Sequence, residues 1–383
     1  MSQTVSILRC DSYDDTLVRS VIDRSFQNLG GIERYIKPGD KVLLKLNLLM
    51  RKRPDDAVIT HCAFARALAA AVQEAGGIVT IADSPGGLYN ETILKSIYQA
   101  GGFIKLAEEL GVSLNYDTSY QTVSYPAGHI VRSFPIIQPI LDADVVITVP
   151  KLKTHMMTFF SGAVKNMFGS VPGIYKAEYH FSIPDKEEFC GMLIDLCCLT
   201  RPHLAFMDAV WGMEGEGPSG GIARKFGAVL ASDNPFALDL AATDMVGITP
   251  QEAPTVAISI ARGLCPASVD KLDLKGDALD SLRISDLVKP PLGTTDFLDR
   301  KFIPKRFSRA VNAFLSPTPV FDQSICIKCE ECMHRCPAKA IRMTPYPTLD
   351  RKKCIHCFCC QELCPKRAIR ARRTPLMRLL VNH

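Results

Sequence analysis

The sequence predicts an α/β fold, a mostly parallel sheet with helices on both faces, followed by a small C-terminal α+β domain built around cysteines. Three observations carry this. Residues 1 to about 285 alternate short β-branched apolar runs with stretches of helical spacing, the rhythm of βαβ units. One run, Ala143-Asp-Val-Val-Ile-Thr-Val-Pro150, is almost continuously apolar, as a strand covered on both faces must be. Between Cys326 and Pro365 the same cysteine spacing occurs twice. The division that follows is 1–285 as the α/β domain, 286–322 as a Pro-rich linker, 323–373 as the cysteine domain and 374–383 as a tail.

In chain order, Thr4-Val-Ser-Ile-Leu-Arg9 reads as the first strand, and Asp15 to Leu29 has helical spacing ended by Gly30-Gly31. Lys41-Val-Leu-Leu-Lys-Leu-Asn47 is the second strand. Thr60 is expected to cap a helix running to Ala75, stopped by Gly76-Gly77. Ile78 to Asp83 is a strand, Glu91–Ala100 and Ile104–Leu110 are helical, and Val123 to Ile140 is β-prone. Later come a helix near Glu187–Leu199, strands at His203–Val210 and Gly227–Ser232, and a helix to about Val246. From Lys289 to Gln323 the pattern breaks at Pro290, Pro291, Pro304, Pro317 and Pro319, read as a linker folding back over the first domain, with a short helix at Arg306–Phe314.

The densest polar segment follows Pro150. Lys151, Lys153 and His155 lead into Ser161, Gly162, Lys165, Asn166, Gly169 and Ser170, then Lys176 and His180. In parallel sheets ligands bind beyond the carboxyl ends of the strands. Polar residues recur there: Lys45 and Asn47, Asp83 and Ser84, the Lys151 segment, Asp208 and Glu214, Asp233 and Asn234. They are expected to converge on one edge. A glycine-rich loop holding lysines suits an anion, because the backbone can approach it and a helix N-terminus offers free N–H groups. The expected catalytic residues are Lys153, His155 and Lys165; the expected substrate-binding residues are Lys45, Asn47, Lys151, Asn166 and Lys176. The bland alternative for each is a loop polar or a helix cap. Neither G-x-G-x-x-G nor G-x4-G-K-[ST] occurs, so nucleotide binding by those routes is unsupported. Trp211 and the Gly-Met-Glu-Gly-Glu-Gly-Pro after it read as a loop over the site. His61, His155 and His180 have no metal-ligand spacing and read as surface or helix-end residues.

The cysteine runs are Cys326, Cys329, Cys332, Cys336-Pro337 and Cys354, Cys357, Cys360, Cys364-Pro365. Each is C-x2-C-x2-C-x3-C-P, the spacing that holds a cubane [4Fe-4S] cluster. A tetrahedral zinc has no use for a third cysteine in phase and a fourth after three residues. Cys359 falls out of phase and reads as a spare, packed thiol.

The stretch resembles bacterial two-cluster ferredoxins over about the last sixty residues. In such domains the fourth cysteine of each run serves the other cluster. The resemblance therefore implies two [4Fe-4S] clusters in a ferredoxin-like domain, one on Cys326, Cys329, Cys332 and Cys364, the other on Cys354, Cys357, Cys360 and Cys336. The first domain also resembles a family. Lys45-Leu-Asn47, Asp83-Ser84-Pro85, Pro150-Lys-Leu-Lys-Thr-His155, Gly162-Ala-Val-Lys-Asn-Met-Phe-Gly169 and Asp233-Asn-Pro235 are similar to the family named domain of unknown function 362, over roughly residues 40 to 250. That resemblance implies the architecture, with a C-terminal two-cluster module, and no reaction.

The 383 residues and 47% apolar content allow two domains with real cores. No apolar stretch reaches membrane-span length and no secretion signal precedes the fifteen cysteines, so a reducing cytoplasm is expected. The net charge of +5 is modest, but Lys352, Lys353, Lys366, Arg367, Arg370, Arg372 and Arg373 crowd the cysteine domain. They either compensate the anionic clusters or form a docking face for an acidic redox partner protein. Nucleic acid is a poor match, with no aromatic interleaving. Three functions remain: an oxidoreductase passing electrons between the clusters and a small anionic substrate, a non-enzymatic carrier that reduces a partner enzyme, or a binding protein braced by structural clusters. No flavin motif is evident.

Overall fold

The computed structural model describes residues 3–291 and 317–372. The linker helix expected at 306–314, Pro304, Arg373 and the tail 374–383 lie outside the described residues.

The first domain is α/β with helices on both faces of one large, mostly parallel sheet. Its strands are β1 (Thr4–Arg9), β2 (Lys41–Leu46), β3 (Ile78–Ala82), β4 (Ser113–Leu114), β7 (Val145–Val149), β8 (Lys151–His155), β9 (Phe159–Ser161), β10 (Leu204–Glu214), β11 (Ile222–Ser232) and β12 (Asp273–Gly276). The order across the sheet is β12-β1-β11-β10-β7-β2-β3-β4, with β8 pairing to β10 and β9. A separate hairpin joins β5 (Tyr120–Ser124) and β6 (Ser133–Ile137).

Alternation along each strand decides which core each residue feeds. On β2, Val42 and Leu44 join one apolar cluster and Leu43 the other. On β7, Val145, Ile147 and Val149 go one way and Val146 the other. One face is covered by α1 (Asp15–Asn28), α2 (Cys62–Glu74), α3 (Glu91–Gly101) and α4 (Phe103–Leu110). α1 buries Val18, Val21, Ile22 and Phe26, the i, i+3, i+4 stripe of a helix lying on a sheet. The opposite face carries α5 (Lys186–Thr200), α6 (Pro235–Met245) and α7 (Pro254–Ala261).

Caps fix the helix starts. Asp14, Asn90, Asp185 and Asn234 each accept backbone N–H groups of the first turn. The cap expected of Thr60 falls to its neighbour: His61 Nδ1 accepts from Ala63 N, and α2 starts at Cys62. The Thr60 hydroxyl instead ties β2 to β7, accepting from Asn47 N and donating to Val149 O.

Three local expectations are corrected. The segment after Pro150 is not a loop but a strand, β8, fully buried, its backbone paired with β10 and β9. Trp211 lies on β10, opposite Lys225 of β11, so the expected loop begins only after Glu214. β11 runs antiparallel to both neighbours. Its end therefore lies at the opposite edge from the ends of β2, β3 and β7, and Asp233 pairs there with Tyr35 and Arg34.

The C-terminal domain is a small α+β unit. β13 (Thr318–Phe321) pairs with β16 (Ile369–Arg372), and β14 (Ile341–Met343) with β15 (Pro347–Leu349). Residues 318–321, assigned to the linker on composition, thus form part of this domain's sheet. At its start the linker does fold back: Val288 N donates to Glu214 Oε2, and Gly215 N to Val288 O. The domain docks on the first through Glu216, whose Oε2 accepts from Gln361 Nε2 at 2.7 Å and Ala371 N at 3.2 Å. Ser219 Oγ also donates to Glu362 O.

Candidate functional site

At the carboxyl ends of β2 and β3, against the C-terminal domain, lies a cavity of about 270 Å³. It is lined by Lys45, Asn47, Asp83, Ser84, Lys153, Lys165, Asn166, Phe168, Lys176 and His180 from the first domain. From the second come Arg335, Cys336, Pro337, Cys359, Glu362 and Leu363. Six of the eight polar residues expected to act on a substrate therefore meet in one place.

The floor is a closed polar network. Lys45 Nζ sits 2.7 Å from Asp83 Oδ1, both buried, and also donates to Leu46 O. Asp83 Oδ2 accepts from Leu48 N at 2.6 Å. Asn166 locks β2 to β7, donating to Lys45 O and Thr148 Oγ1 and accepting from Asn47 Nδ2. Asn47 Oδ1 in turn accepts from Lys153 Nζ at 2.8 Å. Gly169 closes over this pair: a Cβ there would stand 1.9 Å from Asp83 Oδ1 and 2.2 Å from Lys45 Nζ. Only glycine leaves the room.

The four lysines differ in what holds them. Lys45 has Asp83. Lys153 Nζ donates to Asn47 and Val58 O. Lys176 Nζ donates to Ser84 O and Pro85 O. Lys165 Nζ has no hydrogen bond or ion pair among the described residues and lies 5.8 Å from the centroid of the Phe168 ring. Burial pushes Lys153 down to about 7, with Lys165 nearby adding to the shift, and pushes Lys176 down to about 7 as well. Burial also lowers Lys165.

His155 is turned by its own backbone. Its Nδ1 accepts from Met157 N and Thr158 N, so the neutral ring carries its proton on Nε2. Burial, then Lys165, hold its pKa well below the usual imidazole value. Nε2 has no hydrogen-bond partner and lies 3.9 Å from Glu362 Oε2. Ser84 Oγ and His180 Nδ1 are likewise buried without partners. Burial takes His180 down to about 3.

Lys151 is not brought to the cavity. Its Nζ donates to Tyr13 OH at 2.6 Å and meets Asp208 Oδ2 at 2.8 Å, in a buried network that includes His61 N and the stacked Tyr13–His61 rings. Successive strand residues point to opposite faces, so Lys151 and Lys153 would share a side on a regular strand. The register of β8 against β10 shifts between Asp208 and Met213, and the two lysines find different partners. Sequence reading also missed Glu362, Arg335 and Cys359 as cavity residues. Their approach depends on how one domain docks on the other.

The cysteine domain is a two-fold repeat. Lys328 and His356, Glu330 and Phe358, Lys339 and Arg367 all have left-handed backbones, at matching places in the two runs. Such residues turn successive N–H groups inward, the nest that surrounds many iron–sulfur sites. Cys336 Sγ accepts from Ala340 N and Cys364 Sγ from Ala368 N, both at 3.2 Å. A second cavity is lined by Cys326, Cys329, Cys332 and Cys364 together. All fifteen cysteines are free of disulfides. Thiolate-sized donors, inward N–H groups and an enclosed space between them fit [4Fe-4S] clusters. Among the described residues no three His, Cys, Asp or Glu side chains are placed to share a single metal ion, and no helix is long and apolar enough to cross a membrane.

Residues 42–244 match the family described as Domain of unknown function (DUF362), and residues 318–365 match the 4Fe-4S dicluster domain. A thylakoid-associated protein of Synechocystis sp. (strain ATCC 27184 / PCC 6803 / Kazusa) is 35% identical over 273 residues, covering 70% of this chain and 83% of the relative. Among solved structures, the lactate racemase apoprotein from Thermoanaerobacterium thermosaccharolyticum aligns at a TM-score of 0.36 and 11% identity, over 52% of this chain and 49% of that one.

Proposed function

The chain belongs to the DUF362 family and carries a [4Fe-4S] ferredoxin-type domain, and on that premise we propose that it is an oxidoreductase joining its iron–sulfur domain to a small anionic substrate. One observation carries the reading: Cys336 and the four lysines line the same cavity. Cys326, Cys329, Cys332 and Cys364 would hold one cluster, and Cys354, Cys357, Cys360 and Cys336 the other. Clusters of this kind supply or accept single electrons.

The chain's own residues do the rest. Lys165 Nζ, without a hydrogen-bond or ion-pair partner among the described residues, anchors the anion. Asn47 and Asn166 hold Lys153 and Lys45 in place, so the ammonium groups are set before a ligand arrives. Lys153 and Lys176, both near 7, stand between charge states at neutral pH and suit proton transfer at Nζ. His155 presents a neutral Nε2–H as a hydrogen-bond donor, a narrower role than proton transfer through a charged ring. Phe168, Leu363 and Pro218 give the cavity its apolar lining.

The compartment in this reading is the reducing cytoplasm, supported by fifteen unpaired cysteines; the relative's name is compatible with attachment to a membrane surface there. The test is anaerobic reoxidation of dithionite-reduced full-length protein by small anionic acceptors. Lys165→Gln should abolish reoxidation while iron content and cluster absorption stay unchanged; equal rates in parent and variant count against the reading.

A second reading, a carrier that reduces a redox partner protein, is favoured by the exposed Lys352, Lys353, Lys366, Arg370 and Arg372. It predicts that charge reversal at Arg370 and Arg372 weakens partner reduction, most at low salt.

A further inference from the structure

The charge and size of the cavity narrow its ligand, given the oxidoreductase reading above. Lys45 is neutralised by Asp83 and Arg335 by Glu331. Among the side chains around the space there remain Lys153, Lys165 and Lys176 against the carboxylate of Glu362; a cluster at Cys336 would bring its own negative charge, met in part by backbone N–H groups of its own domain such as Ala340 N, and is counted apart. The lining thus has two positive charges to spare when its lysines are protonated. Buried charge without a counter-ion is costly, so an occupant carrying two negative charges satisfies the site best. The volume of about 270 Å³ falls at or below the low end of small-molecule sites, roughly 300–1,000 Å³. That volume suits a ligand smaller than a whole nucleotide or flavin. Unused hydrogen-bonding atoms sit in the same wall, Ser84 Oγ and His180 Nδ1, and His155 Nε2–H lies behind it, 3.9 Å from Glu362 Oε2. They match oxygens of a ligand that is charged at both ends or at a compact head.

We propose that the cavity binds a small dianion, a short dicarboxylate or a phosphate monoester, with Lys165 as its anchor and Glu362 of the iron–sulfur domain setting the charge it accepts. Glu362 lies in the helical turn Cys359–Glu362, which also carries Cys360. Charge selection at the substrate site is therefore built by the redox domain, and the cavity is complete only when the two domains are docked.

The experiment is calorimetric titration of the oxidised, cluster-loaded full chain near pH 7, where no turnover enters. The probes are succinate, orthophosphate, propionate, citrate and ATP. Succinate or orthophosphate should bind at least tenfold more tightly than propionate, and ATP should not bind. Lys165→Gln should weaken the dianion at least tenfold. Glu362→Gln should move the preference toward citrate. Visible absorption of each variant confirms that the clusters remain. Propionate binding as tightly as succinate, ATP binding most tightly, or no probe binding below about 10 mM would overturn the proposal. If succinate binds as described but the reducible dianion fumarate, which would take two electrons and two protons to become succinate, never reoxidises the reduced protein, the ligand class is supported and electron transfer is not, so the two failures are separable.

Discussion

Replacing Gly169 by alanine tests whether the cavity floor is held by the buried Lys45–Asp83 pair. The added Cβ would stand 1.9 Å from Asp83 Oδ1 and 2.2 Å from Lys45 Nζ. Ordinary contact between such atoms needs roughly 3.5 Å, so one or both groups must retreat by more than about 1 Å. Neither retreats freely. Lys45 is only 1% exposed, and Asp83 Oδ2 is held by Leu48 N. Separating a buried pair leaves an uncompensated charge, at about 3–5 kcal/mol. With a urea m-value of about 3 kcal/mol per M, the unfolding midpoint should fall by about 1–1.7 M. The measurement is urea unfolding of the cluster-loaded protein, followed by tryptophan fluorescence from Trp211. A double variant with Lys45→Met and Asp83→Leu removes both charges and should reduce the cost of the alanine. If Gly169→Ala leaves the midpoint within about 0.3 M of the parent, the pair does not hold the floor as described.

Three other outcomes follow from the same geometry. Lys153 and Lys176 are pushed down to about 7, so the charged form that attracts an anion is held below that pH and lost above it. Succinate affinity should therefore fall between pH 6 and 8.5, with proton uptake on binding seen as buffer-dependent enthalpy; a flat profile contradicts the shifts. The unfolded chain keeps these lysine protons up to about 10.5, so their burial costs least at high pH and stability from this source rises from pH 7 upward. Cys364→Ala should remove the same reduced-cluster EPR signal as Cys332→Ala, and Cys336→Ala the same signal as Cys360→Ala; the opposite pairing would refute the crossed ligand sets. Glu216→Ala removes the acceptor of Gln361 and Ala371, a loss on the order of 1.5–3 kcal/mol for hydrogen bonds to a charged group. Amide exchange at Ala371 should quicken while exchange in β2 and β7 stays slow; unchanged protection at Ala371 would show that docking does not rest on Glu216.

Local signals carried much of this architecture. The doubled cysteine run depends on spacing alone, and so do the βαβ alternation and the buried run at 143–150. Lys45, Asn47, Lys153, Lys165, Asn166 and Lys176 were legible because parallel strands deliver their carboxyl ends to one edge. What escaped depends on pairing between distant segments. The antiparallel direction of β11 moved Asp233 and Asn234 to the other edge, and nothing in Gly227–Ser232 encodes that direction. Lys151 left the site because Asp208, fifty-seven residues later, offered a buried partner. The Nδ1 of His155 is held by two backbone N–H groups of the turn that follows it, a local fold that its spacing does not announce. Glu362 reads in sequence as one more residue between cluster cysteines. Only the docking of the two domains makes it the acid that faces three lysines.

The most direct test of the central claim is iron and acid-labile sulfide analysis of anaerobically purified full-length protein, with EPR after dithionite reduction and again after adding succinate. The account predicts about eight irons per chain, a spin-coupled spectrum from two reduced cubanes, and a change in that spectrum on adding the dianion, because the ligand sits beside Cys336. Zinc in place of iron, fewer than about four irons, or clusters that dithionite cannot reduce would contradict it.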